Sequence, residues 1–182
     1  DVALIAKQLP LNRFTDAVRD SVIQAGFFEV FTFSLCSRDD LGTKLNTEFR
    51  PELTVQVANP KAQEFQVLRT TLLPGLLKCV ASNKMQPLPI RIFEVSDIVV
   101  KSDKKKVGAE NRRRLGALYC SKTSSFEIVH GLLDRLMVLF EIPWDQNGYR
   151  LKPVQNATYL PQRCAEITVR DVPVGYVGVL HP

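Results

Sequence analysis

Residues 65–78 read FQVLRTTLLPGLLK, and this stretch decides how the rest of the chain is interpreted. Its leucines are apolar enough for a buried or membrane segment, yet Pro74 and Gly75 stand in its middle. Proline lacks a backbone N–H and therefore fits the first turn of a helix, where that group has no intrahelical partner. The pair thus predicts the start of a helix, with Thr70 or Thr71 as its N-cap. The predicted apolar stripe and helix end are Leu73, Leu76, Leu77, Val80 and Asn83.

The flanking sequence mixes helical and strand patterns. An amphipathic helix is predicted over 13–25, because apolar residues recur there at helical spacing and Gly26 is a suitable left-handed stop. Ser124 or Ser125 is the predicted N-cap of another helix over 126–141. Since helices and strands do not alternate strictly, the class is α+β, a largely antiparallel sheet flanked by helices. Strands are predicted at 27–37, 53–59, 90–100 and 115–120, with a closing hairpin at 165–170 and 174–180 and irregular chain at 144–163.

Composition excludes several functional classes. The chain has 182 residues, 45% of them hydrophobic and 24% charged, which is ordinary for a soluble globular domain. No apolar run approaches the ~20 residues that cross a bilayer, so no membrane segment is expected. Two isolated histidines and the lack of a Gly-rich phosphate loop argue against a metallohydrolase, a Ser-His triad and a P-loop. Four scattered cysteines without a CxxC pair predict reduced thiols in a cytoplasmic protein, and no zinc.

The formal net charge of +5 is concentrated in one segment, residues 101–114. Such a run is either a solvated loop or a patch that faces phosphates, and the sequence leaves both open. No aromatic residue is interleaved in it, which excludes base stacking from this segment. Its basic residues are Lys101, Lys104, Lys105, Lys106, Arg112, Arg113 and Arg114.

Two stretches resemble the core module of phenylalanyl-tRNA synthetase beta subunits of the eukaryotic and archaeal type. They are VANPKAQEFQVLRTTLLPGLLKCVASNK and IRIFEVSDIVV, which match the family pattern N-P-x-x-x-E-x-x-x-L/A-R-T-x-L-L-P-G-L-L and a later strand with F-E-[IV]. FEIVHGLLDRLM and the closing hairpin are also similar, so the resemblance runs from about residue 11 to residue 182. The matching positions are Asn59, Pro60, Glu64, Arg69, Thr70, Leu72–Leu77, Phe93, Glu94 and Val95.

The resemblance implies the catalytic-domain fold of class II aminoacyl-tRNA synthetases. The helix over 13–25 and the following strand would then correspond to the first class II motif, which builds the subunit interface. Phe14, Val18 and Val22 therefore face either another subunit or the core of this chain, and an apolar stripe alone does not decide which. For Arg69 the expected role is structural, with bonds to nearby backbone carbonyls or to Glu64, and the alternative is direct ligand contact.

The domain boundaries follow from the same resemblance. Residues 1–9 are expected to end a preceding small domain, and residues 10–182 to form the class II-like core module of a longer beta subunit. Where the family has an acidic pair and then Tyr-Gly-Tyr, this chain continues directly, so we expect residues to be missing near Ile5–Ala6. The family's acidic cluster binds magnesium, which makes Asp1 a candidate magnesium ligand and, alternatively, a simple carboxylate at a helix N-terminus.

The chemistry of amino-acid activation is not expected in this chain. Class II catalytic domains carry an Arg-x-Glu on the strand that corresponds to residues 90–100, where this sequence has Val99, Val100 and Lys101. No catalytic and no cofactor-binding residue is therefore assigned. The resemblance implies a catalytic alpha subunit in an α2β2 heterotetramer that uses ATP and Mg²⁺ to join phenylalanine to tRNA(Phe), with this chain as scaffold and aid to tRNA binding. The alternatives are an independent basic RNA-binding or regulatory module and a self-sufficient amino-acid-activating domain.

Overall fold

The computed structural model describes residues 6–182. Helix α1 (Pro10–Gln24) leads into two short strands, β1 (Phe28–Glu29) and β2 (Leu35–Cys36). The remaining elements, apart from two short 3₁₀ turns, are α2 (Arg38–Leu41), β3 (Val67–Leu68), α3 (Leu73–Ser82), β4 (Ile90–Lys101), β5 (Ala109–Cys120), α4 (Phe126–Leu139), β6 (Tyr149–Pro153), β7 (Tyr159–Val169) and β8 (Val172–Leu180).

The strands form three small sheets instead of one. The first has the order β1-β4-β5, with β1 parallel to β4 and β4 antiparallel to β5 over twelve pairs from Ile90–Cys120 to Lys101–Ala109. The second pairs β2 with β3, and the third is the antiparallel β6-β7-β8. The α+β class is thus correct, while the predicted single antiparallel sheet is divided and contains one parallel pair.

Helices cover both faces of the first sheet. On one side α1 and α4 pack on β4, and the buried cluster there includes Val18, Val22 and Phe93. On the other side α3 contributes Leu72 and Leu76, which pack against Ile92 of β4 and its neighbours. Because Val18 and Val22 are 5% and 0% exposed within this single chain, they belong to its own core, which settles the question their periodicity left open. Phe14 is half exposed and stacks on Phe140 at 4.8 Å between ring centroids.

The helix predicted from the Pro-Gly pair is present. Helix α3 begins at Leu73 with Pro74 in its first turn, and Asn83 is its C-cap, as expected. Its N-cap, however, is Leu72, and no side chain caps it. Thr71 Oγ1 only accepts a long 3.4 Å bond from the Leu73 N–H. Ser125 occupies the N-cap position of α4, also without a side-chain cap. Gly26 has the predicted left-handed conformation, with φ of +83°.

Several predicted strands are wrong in extent. The stretch 27–37 forms only β1 and β2, and the backbone N–H of Thr32 in its middle donates to Glu94 Oε1 at 3.4 Å instead of to a neighbouring strand. Residues 53–59 make one isolated bridge, Gln56 with Val67, since their partner β3 has only two residues. The segment predicted as irregular contains β6 and the start of β7. The YRLKP sequence of β6 becomes a strand by pairing with β7.

Gly75 is required by the closeness of α3 to the segment after β1. A Cβ built on Gly75 would lie 2.1 Å from Thr32 Oγ1 and 2.7 Å from Thr32 Cβ. Real atoms do not approach so closely, so any larger residue must displace Thr32. Gly178 is a second close approach, because a Cβ built there would lie 2.3 Å from the Arg163 carbonyl oxygen, whereas a Cβ on Gly175 would make only ordinary contacts.

We expect Gly75→Ala to lower the free energy of unfolding by about 1–3 kcal/mol through overpacking, although alanine favours a helix. Gly131→Ala in α4 is the matched control, because a Cβ there meets nothing within 4 Å. That substitution should stabilise the chain by about 0.5–1 kcal/mol. Urea unfolding of the two variants checks both signs, and stabilisation by both would show that Thr32 yields without cost.

Candidate functional site

The arginine and the glutamate of the family pattern meet inside the protein. Arg69 Nη1 lies 2.8 Å from Glu94 Oε1, and the two side chains are 6% and 1% exposed. Arg69 Nε also donates to the Asp97 carbonyl at 3.1 Å. An isolated charge buried this deeply would be very costly, so each group depends on the other. The structural role expected for Arg69 is confirmed for its backbone carbonyl contact, but its acidic partner is Glu94 and not Glu64.

Thr32 completes this buried node. Its hydroxyl donates to Glu94 Oε2 at 2.6 Å and accepts from Arg69 Nη1 at 3.0 Å. The same hydroxyl limits residue 75 to glycine, as the contact above shows. One oxygen therefore ties the segment after β1 to β4, to Arg69 and to the first turn of α3. No sequence signal pointed to Thr32, because it bonds only to residues far away along the chain.

A second buried carboxylate anchors α2. Asp40 is 1% exposed, accepts the Ser37 N–H at 3.0 Å, and receives the Lys44 ammonium at 2.8 Å and that of Lys78 of α3. Burial by itself raises the pKa of Asp40, but the hydrogen bonds from Lys44, Lys78 and Ser37 outweigh it and hold that pKa well below its usual value. This cluster was not predicted, although the Ser-x-x-Asp spacing of residues 37–40 is a capping-box signal.

A broad cleft of about 1350 Å³ opens between α3, β5 and β8. Its wall includes Leu72, Leu118 and Tyr176, and is therefore largely apolar. Of the two arginines at its edge, Arg113 is already bound to Asp97 Oδ1 at 2.6 Å and to Thr15 Oγ1 at 2.8 Å. Activation of an amino acid with ATP needs several cations aimed at phosphate oxygens, and Arg113 is committed elsewhere.

The end of β4 is the place where the resemblance led us to look for the phosphate-binding arginine of a class II catalytic domain. Here Val99 and Val100 are half buried, and the Val99 N–H donates to the Arg69 carbonyl at 3.0 Å. The strand end is thus joined to the segment that precedes α3. Valine side chains offer no hydrogen bond to a phosphate.

Candidate metal ligands are scarce in the part of the chain that the structure describes. Within residues 6–182 no group of three or more His, Cys, Asp or Glu side chains could hold a metal ion. Asp1, the predicted magnesium ligand, lies outside the described residues, as does Ile5 of the junction with Ala6. Cys36, Cys79, Cys120 and Cys164 carry free thiols, two of them buried, and burial raises the pKa of Cys36 to about 11.

Three exposed phenylalanines lie close together along the chain after α1, and we call Phe28, Phe31 and Phe33 the aromatic ridge. Phe28, Phe31 and Phe33 are 75%, 76% and 79% exposed. They follow α1 and occupy or extend β1, which is an edge strand of its sheet. Phe31 and Phe33 are exposed while Thr32 between them bonds to the buried Glu94, so the side chains alternate as in a strand although no sheet forms here. Exposed aromatics on a sheet edge mark a surface that another chain covers.

The basic segment is a β-hairpin and not a loop, and we call residues 101–114 the basic hairpin. Arg112, Arg113 and Arg114 lie within β5, opposite Ile98, Asp97 and Ser96 of β4. Lys104, Lys105 and Lys106 lie in the exposed turn between the two strands. Of the two alternatives that the sequence left open, a loop therefore describes the three lysines and not the arginines, and the phosphate-facing patch stays a prediction.

No helix among residues 6–182 combines the length and hydropathy needed to cross a membrane.

A family model and curated relatives that match this chain all point to the same family. The model described as "Phenylalanyl tRNA synthetase beta chain CLM domain" matches residues 2–182. The chain is 51% identical over 182 residues to the phenylalanine--tRNA ligase beta subunit of Drosophila melanogaster, covering 98% of this chain and 31% of the relative. It is 49% identical over 180 residues to the human beta subunit, with the same coverage of both chains. The chain thus spans about a third of the length of the curated relatives it matches.

Two further comparisons concern a relative whose name gives a location and a solved structure with a similar fold. A relative from Arabidopsis thaliana, 42% identical over 187 residues, with coverage of 97% of this chain and 31% of the relative, is named "Phenylalanine--tRNA ligase beta subunit, cytoplasmic". Among solved structures, a pyrrolysyl tRNA synthetase of Desulfitobacterium hafniense superposes with a TM-score of 0.68 over 90% of this chain and 56% of its own. At 15% sequence identity that likeness shows the fold alone.

We expect Glu94→Gln to lower the free energy of unfolding by about 3–5 kcal/mol, because it leaves the Arg69 guanidinium buried without a counter-charge. Lys152→Ala is the control, since it breaks a pair with Asp171 whose side chains are 48% and 79% exposed. Its effect should be at most about 1 kcal/mol. Chemical denaturation measures both, and an equal loss in the two variants would contradict the role of the buried pair.

We expect Asp40 to make stability depend on acid pH. Its pKa is lower in the folded chain than in the unfolded chain, so its stabilisation is complete above about pH 4 and is lost as pH falls below that value. Asp40→Asn should cost about 1–3 kcal/mol at pH 7 and reduce the loss of stability between pH 4 and pH 2.

Asp20→Asn on the exposed face of α1 should change stability by less than about 0.5 kcal/mol at either pH. Urea unfolding at a series of pH values distinguishes the two variants. An unchanged acid slope in Asp40→Asn would contradict the assignment.

Proposed function

This chain belongs to the phenylalanyl-tRNA synthetase beta chain family, and on that premise we propose that it is the non-catalytic core module of a phenylalanine--tRNA ligase beta subunit. In this role it holds the catalytic alpha subunit in place and contributes to tRNA binding, while the assembled ligase joins phenylalanine to its tRNA. The likeness to a tRNA synthetase fold supports a class II-like module, with residues 10–182 as its extent and residues 1–9 as the end of a preceding domain.

The observation that carries the proposal is the use of the family's motif arginine. The guanidinium of Arg69 hydrogen-bonds to Glu94, Thr32 and the Asp97 carbonyl instead of facing the cleft. The neighbouring strand end offers Val99 and Val100 where a catalytic relative would offer an arginine. A scaffold explains both features, because the motif here stabilises the junction of α3 with the sheet and leaves the chemistry to another subunit.

ATP and Mg²⁺ are assigned to the alpha subunit. Within residues 6–182 no three ligating side chains lie together to hold a metal ion. Of the cations that line the cleft, Arg113 is already paired with Asp97, which leaves Arg114 and Lys122. No catalytic step is therefore derived for this chain. A magnesium ion at Asp1 stays a prediction, since Asp1 lies outside the described residues 6–182.

The aromatic ridge is the proposed surface for the alpha subunit. Aromatic side chains are enriched among residues that contribute most to protein interfaces. The ridge lies directly after α1, in the segment that the class II resemblance places at the subunit interface. The cytoplasmic location named for one relative and the α2β2 assembly of the resemblance complete the proposal: two copies of each subunit in the cytoplasm, charging tRNA(Phe).

The test is co-expression of the full-length beta subunit with its alpha subunit, purification through a tag on the beta subunit at moderate salt, and aminoacylation of tRNA(Phe). Moderate salt screens adventitious charge contacts and leaves an apolar interface intact. A stoichiometric complex that charges tRNA supports the proposal. ATP–pyrophosphate exchange by the beta subunit alone would favour the self-sufficient enzyme, and a beta subunit that binds RNA but no alpha subunit would favour the regulatory module.

We expect Phe31→Ser with Phe33→Ser to reduce alpha-subunit capture at least tenfold, because the pair removes two aromatic anchors while both are exposed in the isolated chain. Met85→Ser with Val138→Ser is the matched control, since Met85 and Val138 are 95% and 77% exposed elsewhere on the surface. The control should retain the complex. Equal capture by both double variants would show that the interface lies on another face.

A further inference from the structure

The basic hairpin carries the whole formal charge excess of the chain. Among its fourteen residues are seven basic side chains and two acidic ones, Asp103 and Glu110, which give a net charge of +5. The complete chain also has a net charge of +5, so the remaining residues are neutral in sum. A protein that needs only solubility has no reason to place its charge in a single hairpin, whereas a surface that attracts an anion does.

The charges within the hairpin are not equivalent. Arg113 is held by Asp97, Arg112 Nε donates to Glu110 at 2.6 Å, and Lys101 Nζ donates to the Pro51 carbonyl at 2.8 Å. By contrast, none of the ion pairs found among residues 6–182 includes a lysine of the tip, the turn formed by Lys104, Lys105 and Lys106. Arg112 and Arg113 thus have partners on the paired strands β4 and β5, whereas the exposed lysines of the tip and the exposed Arg114 take part in none of these ion pairs.

The composition of the tip favours a phosphate backbone over a protein surface. Lysine is depleted in the buried centres of protein interfaces, and the only large apolar side chain at the tip is Val107, which is 85% exposed. Lysine ammonium groups bind phosphate oxygens as point charges and need no fixed geometry. The hairpin has no aromatic residue, so it offers no stacking surface for bases.

We infer that the tip lysines Lys104, Lys105 and Lys106 bind the phosphate backbone of RNA without reading its bases. The inference rests on the proposed function, because within a tRNA ligase the RNA at hand is the tRNA substrate. The tip then adds affinity and speeds encounter, and does not choose among tRNA sequences. Since the lysines lie beyond Ile98, the last fully buried residue of β4, their replacement leaves the core untouched.

The experiment replaces all three lysines by serine in the full-length beta subunit, purified as the complex with the alpha subunit. Binding of tRNA(Phe) is measured between 50 and 300 mM KCl, with phenylalanine-dependent ATP–pyrophosphate exchange as a second readout. We expect about tenfold weaker binding at 100 mM KCl and a salt slope smaller by about two, since each phosphate contact contributes about 0.7–0.9 to that slope. Exchange, which requires no tRNA, should be unchanged.

Two variants serve as controls. Lys7→Ser with Lys61→Ser and Lys84→Ser removes the same net charge from exposed positions elsewhere, and should keep wild-type tRNA affinity. Replacing the three tip lysines by arginine keeps the charge and should keep the affinity and the slope.

The inference is overturned if the tip variant retains the wild-type salt slope, or if the scattered control loses as much affinity. It is also overturned if the tip variant loses the alpha subunit, because the tip would then contact protein. In each of these cases the wild-type complex still charges tRNA. Failure of the proposed function is a separate result, in which the wild-type complex does not form or does not charge tRNA.

Discussion

The contact on which the arrangement of this chain depends is the buried ion pair between Arg69 and Glu94. Glu94 lies in the middle of β4, Arg69 lies just before α3, and Thr32 bridges them from the segment after β1. Three pieces of chain that are far apart in sequence therefore meet at two charged groups and one hydroxyl. Because neither charge can stay buried without its partner, the three pieces can dock in few other ways.

Such a pair is a weak source of stability, since its desolvation cancels much of its attraction. Its value here lies in specificity, because leucine-rich surfaces such as those of α3 pack on a sheet in many similar registers, whereas Arg69 reaches Glu94 in one. The close approach of Gly75 to Thr32 acts in the same direction. The Asp40 cluster is a second buried polar contact of this kind, because it joins Lys78 of α3 to Asp40 of α2.

The surface is divided between two kinds of chemistry. Apolar groups concentrate in the aromatic ridge after α1, and positive charge concentrates in the basic hairpin between β4 and β5. The buried node lies between the elements that carry them, since Glu94 belongs to β4 and Thr32 stands between Phe31 and Phe33. A buried polar centre with an apolar surface on one side and a charged surface on the other is what the proposed contacts with a protein and with an RNA would require.

The sequence by itself determined the elements whose cause is local. Pro74 and Gly75 predicted the start of α3, Gly26 the end of α1, and the motif around Arg69 predicted the family, because helix starts, stops and motifs depend on neighbouring residues. The sequence also indicated that Arg69 is structural, yet it named Glu64, the acid nearest along the chain, as its partner.

Tertiary structure alone decided the long-range contacts. It paired Arg69 with Glu94, placed Val18 and Val22 in the core, left Phe31 and Phe33 exposed, and drew the arginines of the basic segment into a strand. It also made a strand of residues 149–153, which lack a clear pattern. The deciding partners lie outside the local pattern, 25 residues apart for Arg69 and Glu94 and 12 to 20 residues apart in the pairing of β6 with β7. Periodicity describes only which residues share a face, not what that face meets.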